Sequence, residues 1–225
     1  RPISLFSDAP FQLNKFMSQN RFHDITCKIH FTNIPTLTVA SDGFVDRFHE
    51  VREMLDAFND HFDQNYVASW ISCLDESMSS WLSKYCPGFM VVPRKPHPFG
   101  NEYHTIADGD GGKAIMFRIK LVEGKDRPKK ADGSWAFPSE YDWMTKTCKT
   151  MVEMTKPLHG TGKVVVGDAG FSVHDGIIAC HKKGVNFQAY AKKRGHWPKR
   201  VPGDHIEEHF REAPLGHCES LVQMF

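Results

Sequence analysis

Residues 163–171 read KVVVGDAGF. Three consecutive valines suit a strand buried on both faces, where no polar alternation is needed. The strand closes at Gly167 and Asp168 stands at its carboxyl end. Downstream, SVHDGIIACHKKG (172–184) reads as a helix that starts at Ser172 and stops at Gly184, and VNFQAYAKK (185–193) as a further strand. This is α/β architecture, in which ligand sites form beyond the carboxyl ends of strands. Asp168 is therefore a candidate site residue by position alone.

The stretch upstream supplies the rest of the sheet. VASWISCLDESM (67–78) suits a strand, with Trp70, Ile71 and Leu74 in its apolar run and Asp75 near its end. CPGFMVVPRKPHPFG (86–100) carries Pro87, Pro93, Pro96 and Pro98, which forbid regular helix. NEYHTIAD (101–108) is a short strand and GDGG (109–112) a turn. In KAIMFRIKLVEGK (113–125), Ile115, Phe117, Ile119 and Leu121 alternate with Met116, Arg118 and Lys120. The last two strands form a hairpin across the glycine turn. EGKDRPKKADGSW (123–135) is a polar loop, and Ser139 precedes a helix through EYDWMTKTCKTMVEMTKPLH that ends near Pro157 and Gly160.

The first 65 residues or so are helical by pattern. Phe11, Phe16, Met17, Phe22, Ile25 and Ile29 recur at helix-like spacing, with Ser18 as an N-cap between two short helices. In FVDRFHEVREMLDAFNDHF (44–62), Phe44, Phe48, Val51, Leu55, Phe58 and Phe62 fall on one face. A final helix is expected in VPGDHIEEHF (201–210). The predicted order is helices, then β-β-β-α-β-α-β-α, with no internal repeat.

Composition bounds the class. The chain has 225 residues, 40% apolar, 12% aromatic and 24% charged, which is globular and not disordered. No stretch approaches the ~20 apolar residues that span a bilayer. The chain begins with Arg1 and Pro2 and no initiator Met, which suggests a fragment of a longer protein, and no signal peptide pattern is visible at its N-terminus. Cys27, Cys73, Cys86, Cys148, Cys180 and Cys218 are scattered without a CxxC pair, so free thiols are expected and a zinc ribbon is not. Net charge is +1, but residues 1–75 hold six Lys and Arg against ten Asp and Glu, whereas residues 181–200 hold seven basic residues and no acid. That basic run suits either a polyanion partner or a solvated surface.

If the strands ending near Asp75 and Asp168 are neighbours, both carboxylates converge. Hard cations such as Mg²⁺ take oxygen ligands, often one or two carboxylates plus phosphate oxygens. Paired ions about 4 Å apart can activate water and stabilise a leaving oxygen on phosphorus. From spacing alone, a strand-end Asp also reads as a turn or capping residue. Glu76 points to the opposite face of a strand from Asp75 and reads as a structural or exposed acid. Asp108 and Asp110 flank the glycine turn and read as turn residues. His205 and His209 are one helical turn apart, a zinc-compatible spacing, but a surface helix is the simpler reading. GDGG lacks the lysine of a phosphate-binding loop and precedes a strand, and no nucleophile elbow is visible.

Several blocks resemble piggyBac-type transposases. CLDESMSSW (73–81) is similar to that family's first catalytic-aspartate block, and VVPRKPHPFGNEY (91–103) to its Lys-Pro stretch before a strand. IKLVEGK (119–125) and GKVVVGDAGFSVHDGIIACHKKGVNFQAYAKKRGHWPK (162–199) resemble the strand and second catalytic block that follow, and the helical lead-ins match in order. The resemblance implies an RNase H-like core over 66–200, preceded by a helical segment (1–65) for dimerisation or DNA binding and followed by the start of a further helix (201–225). It implies metal-dependent DNA cleavage and strand transfer with Mg²⁺, for which Mn²⁺ can substitute, on double-stranded DNA, by a homodimer in the nucleus. Asp75 and Asp168 correspond to the first two of three catalytic aspartates and would be metal ligands. Lys192, Lys193, Arg194, Trp197, Lys199 and Arg200 would contact DNA through phosphates and base stacking. Lys125, Arg127, Lys129 and Lys130 would form a second contact.

Two departures stand out. Ala169 occupies the place of a family Asn, and the third family Asp has no counterpart before Phe225. Asp204 comes too early and reads as a helix cap. The alternative is a domesticated or decayed, non-catalytic derivative that binds DNA or protein.

Overall fold

The computed structural model describes residues 13–29, 44–109, 115–191 and 203–220. Two helices come first: α1 (Gln19–Thr26) and α2 (His49–Asn65). Six strands and three further helices follow, as β1 (Ile71–Ser80), β2 (Phe89–Val91), β3 (Phe99–Asp108), β4 (Met116–Leu121), α3 (Lys146–Met154), β5 (Val164–Gly167), α4 (His174–Lys182), β6 (Asn186–Ala189) and α5 (Gly203–Phe210). The predicted sequence of elements is present, with β2 as an added short strand inside the proline-rich stretch.

All six strands share one mixed sheet. β1 is central. It runs antiparallel to β3 from Ser72↔Asp108 to Ser80↔Gly100, and parallel to β5 from Ile71↔Val164 to Leu74↔Gly167. β6 extends the parallel side, Val164↔Asn186 to Gly167↔Ala189. β2 and β4 both pair with the far edge of β3, β4 as the expected hairpin partner with a bulge at Ile106/Ala107. Three antiparallel strands feeding a helix, then two parallel strands, make an RNase H-like core.

Alternation along the strands divides the sheet into two unlike faces. Leu74, Ile106, Val165 and Phe187 turn to one face, under Met151, Val152 and Met154 of α3 and Cys180 of α4. Leu74, Ile106, Met151, Val152, Val165 and Cys180 are fully buried there. On the other face Cys73 and Asp75 are exposed, and along β5 the burial of Val164 gives way to partial exposure at Val166.

α2 closes the β4 edge. The Asn59 side chain donates to the Ile119 carbonyl at 2.9 Å and accepts from the Ile119 amide at 2.9 Å, taking the place of a neighbouring strand on an otherwise open edge. The helix begins five residues later than the pattern of apolar positions predicts. Asp46 is the reason: its carboxylate accepts from the Phe48 amide at 3.0 Å and is gripped by Arg52 at 2.6 Å, which fixes the start of the helix after Phe48. Ser18 caps α1 as expected, accepting from the Arg21 amide at 3.3 Å. Phe16, Phe22, Ile25 and Ile29 are exposed.

The helix predicted from Ser139 starts only at Lys146. The carboxylate of Asp142 accepts from the Ser139 amide at 2.8 Å and is paired with Arg127 at 3.0 Å and with Lys149, which holds 139–145 as turns. Likewise α4 begins at His174, two residues after Ser172, and stops before Gly184, whose φ of +75° is the left-handed conformation that ends helices. The six cysteines are free thiols. Among the described residues no helix is long and apolar enough to cross a membrane.

Candidate metal centre

The parallel register of β1 and β5 decides where the two aspartates stand. Its last pair is Leu74↔Gly167, so the next positions on the two strands are Asp75 and Asp168. Neighbouring strands lie about 4.8 Å apart, which sets the two residues side by side. Asp75 is not near the end of β1, as the sequence suggested, because antiparallel pairing with β3 carries the strand on to Ser80. It is, however, the residue at which the parallel half of the sheet ends.

Cys73, two residues before Asp75 on β1, shares its face and lies near both carboxylates. Its thiol is pushed above the ordinary value by burial, then by the negative charges of Asp75 and Asp168 together. Asp75 Oδ1 accepts from the Glu76 amide at 2.7 Å, and Asp168 Oδ1 accepts from the Gly170 amide at 2.7 Å. Each carboxylate is thereby oriented through one oxygen while remaining exposed. Among the described residues neither is ion-paired.

Local sequence explains how Asp168 is held. Gly167 is buried, and a Cβ there would sit 3.0 Å from the Phe171 Cβ and from the Phe187 ring, so a side chain would press on both. Asp168 then caps a 3-10 turn, Ala169–Phe171, and the buried Phe171 pins that turn to the core. A Cβ on Gly170 would sit 2.9 Å from Asp168 Oδ1, against the carboxylate. The Ala169 departure thus falls inside a turn whose capping Asp and anchoring Phe are both in place.

Two adjacent carboxylates without a basic partner favour a cation, and an all-oxygen donor set suits a hard dication such as Mg²⁺. The residues present fit that group.

The other sequence candidates separate clearly. Glu76 lies on the opposite face, cross-strand from His104, and pairs with Arg94 at 2.6 Å. Asp108 is not a turn residue. It is 7% exposed and accepts from Tyr66 Oη at 2.8 Å, from the Ser69 amide at 2.7 Å and from Ser69 Oγ, tying the lead-in of β1 to the end of β3. Asp110 lies outside the described residues. His205 and His209 are exposed on α5, with His209 2.9 Å from Glu219, which accords with a surface helix. Asp204 lies in the first turn of α5.

Lys192, Lys193, Arg194, Trp197, Lys199 and Arg200 all lie outside the described residues. Of the second basic group, Arg127 is not a free contact: besides Asp142 it covers the Trp135 ring at 4.1 Å. Lys129 also lies over Trp135, at 4.7 Å. Sequence reasoning missed Glu102 and His104, although their alternation with Ile106 in GNEYHTIAD was a usable sign that they share the covered face.

A sequence-family model described as Transposase IS4 matches residues 3–215. A solved structure, a cryo-EM structure of the piggyBac transposase synaptic complex with hairpin DNA, superposes with a TM-score of 0.60 at 18% identity. The match covers 93% of this chain and 40% of that chain, so this chain spans less than half the length of that protein. No curated protein matches. The fold is that of the piggyBac transposase, and with the family match running over nearly its whole length the chain belongs to the Transposase IS4 family.

Proposed function

We propose that this chain carries the metal-binding part of a DNA transposase, with Asp75 and Asp168 as the protein ligands of Mg²⁺, for which Mn²⁺ can substitute. The observation that carries the reading is the register that sets these two unpaired carboxylates side by side where β5 ends. A divalent ion bound there supplies positive charge to a scissile phosphate. The chain's own contribution is rigid placement: Asp75 is fixed within a strand paired on both sides, and Asp168 by its turn and the buried Phe171.

The substrate in this reading is DNA, cut and joined at phosphodiesters by the full-length protein. β6 ends at Ala189, in register with Gly167, so the chain enters the basic stretch 192–200 from the same end of the sheet as Asp168. Seven basic residues in 181–200, with Trp197 among them, suit a phosphate backbone and an unstacked base. The likeness to a transposase solved with hairpin DNA supports the same assignment.

Calorimetric titration with Mn²⁺ and Mg²⁺ tests the metal site. Asp75→Ala and Asp168→Ala are each expected to weaken binding at least about tenfold, since one of two carboxylate ligands is lost. Equal affinity in wild type and both variants would refute the reading.

A further inference from the structure

The reverse face of β1 carries a second set of donors. In the antiparallel register Glu76 faces His104, and Met78 faces Glu102, so Glu76, Glu102 and His104 stand together on the face opposite Asp75. One ligating atom from each lies within 4.8 Å of the other two. The side chain of His104 is only 9% exposed. Its Nε2 is 3.7 Å from Glu102 Oε1, too far for a hydrogen bond, and its buried Nδ1 has no hydrogen-bond partner among the described residues. A buried imidazole nitrogen left this way is unfavourable unless a partner satisfies it.

Two carboxylates, Glu76 and Glu102, bring negative charge to this imidazole. Glu102 is pushed above its ordinary value by burial and by Glu76 beside it. Arg94 takes Glu76 Oε2 but is 65% exposed, and a surface ion pair of that kind is weak. Lys95 binds the Glu76 carbonyl at 3.0 Å and not its carboxylate.

We propose that Glu76, Glu102 and His104 form a site for a first-row transition dication such as Zn²⁺. Imidazole with carboxylates selects such an ion, whereas Mg²⁺ prefers oxygen ligands and water. Three protein ligands leave a coordination position for water, and His104 lines a cavity of about 580 Å³. The ion would tie β1 to β3 one residue beyond Asp75. The two faces of one strand would then hold two metals of different chemistry, the oxygen-only pair outside and the nitrogen-containing set within. This inference does not depend on the role proposed for Asp75 and Asp168.

Zn²⁺ titration of the full chain in excess Mg²⁺ tests it, as the difference between variants, because His209, His217 and Glu219 can take zinc elsewhere. Glu102→Gln, Glu76→Gln and His104→Gln are each expected to weaken one Zn²⁺ equivalent by at least about tenfold. Asp168→Ala should keep that equivalent. Should His104→Gln fail to fold by circular dichroism, the two glutamate variants decide. An unchanged titration in both, loss of the equivalent in Asp168→Ala, or its displacement by Mg²⁺ would each overturn the proposal.

Discussion

Replacing Asp75 with Ala in the full-length protein is expected to slow metal-dependent DNA cleavage by roughly 10³-fold. A metal that polarises phosphorus-bound oxygen is worth several kcal/mol at the transition state, and each 1.36 kcal/mol is about tenfold in rate. Asp75 is exposed, and among the described residues its Oδ1 accepts from the neighbouring amide alone, so its loss removes the proposed ligand without opening the core. The fold should therefore survive, and the thermal midpoint should stay within a few degrees. Asp168→Ala is expected to act the same way on rate, with a modest further cost from the lost cap on Gly170. A single-turnover assay on transposon-end DNA measures the effect. Wild-type cleavage that persists in Asp75→Ala would remove this residue from the chemistry, and a wild-type protein that does not cut at all would favour the non-catalytic alternative.

The second large effect is on stability. Asp108→Ala is expected to destabilise the chain by about 3 kcal/mol, because it strips the acceptor from Tyr66 Oη, the Ser69 amide and Ser69 Oγ at once. At roughly 2–4 °C per kcal/mol for a chain of this size, the thermal midpoint should fall by about 6–12 °C. Urea unfolding should show a lower midpoint with an unchanged slope. Asp108→Asn should fall between the two, since its carbonyl can still accept. A change within about 0.5 kcal/mol would mean that Asp108 anchors nothing.

Asp108 also marks the limit of what local sequence conveys. Its neighbours, Gly109 and the GDGG run, announce a turn, and β3 and β4 pair as the hairpin this implies. Whether an aspartate before the turn faces solvent or the protein depends on Tyr66 and Ser69, about 40 positions away in the chain. The same distinction runs through the molecule. Valines 164–166, the alternation of Ile115 to Leu121 and the stop at Gly184 act through neighbouring residues, so the strands and helices were legible. The starts of α2 and α3 were displaced by Asp46 and Asp142, whose carboxylates are held by Arg52, itself paired with Glu123, and by Arg127 and Lys149; apolar periodicity does not encode these pairings.

The candidate site was legible in part. Asp168 at the close of a valine strand is a positional signal that needs no partner. Asp75 is visible only as an acid after an apolar run; its meaning comes from the parallel pairing of β1 with β5, which no spacing within either strand encodes. Glu76 was correctly assigned to the other face by strand alternation. What alternation could not supply was its company there, because Glu102 and His104 arrive through antiparallel pairing with β3.

One measurement addresses the proposed shared metal site directly. The amides of Glu76 and Gly170 donate to Asp75 Oδ1 and Asp168 Oδ1, each at 2.7 Å, and so report on the two carboxylates separately. In a Mg²⁺ titration of ¹⁵N-labelled chain followed by NMR, both amide signals should shift along one saturation curve with a common midpoint. Signals that move with different midpoints, or a Gly170 amide that does not move while Glu76 does, would contradict a metal held jointly by Asp75 and Asp168.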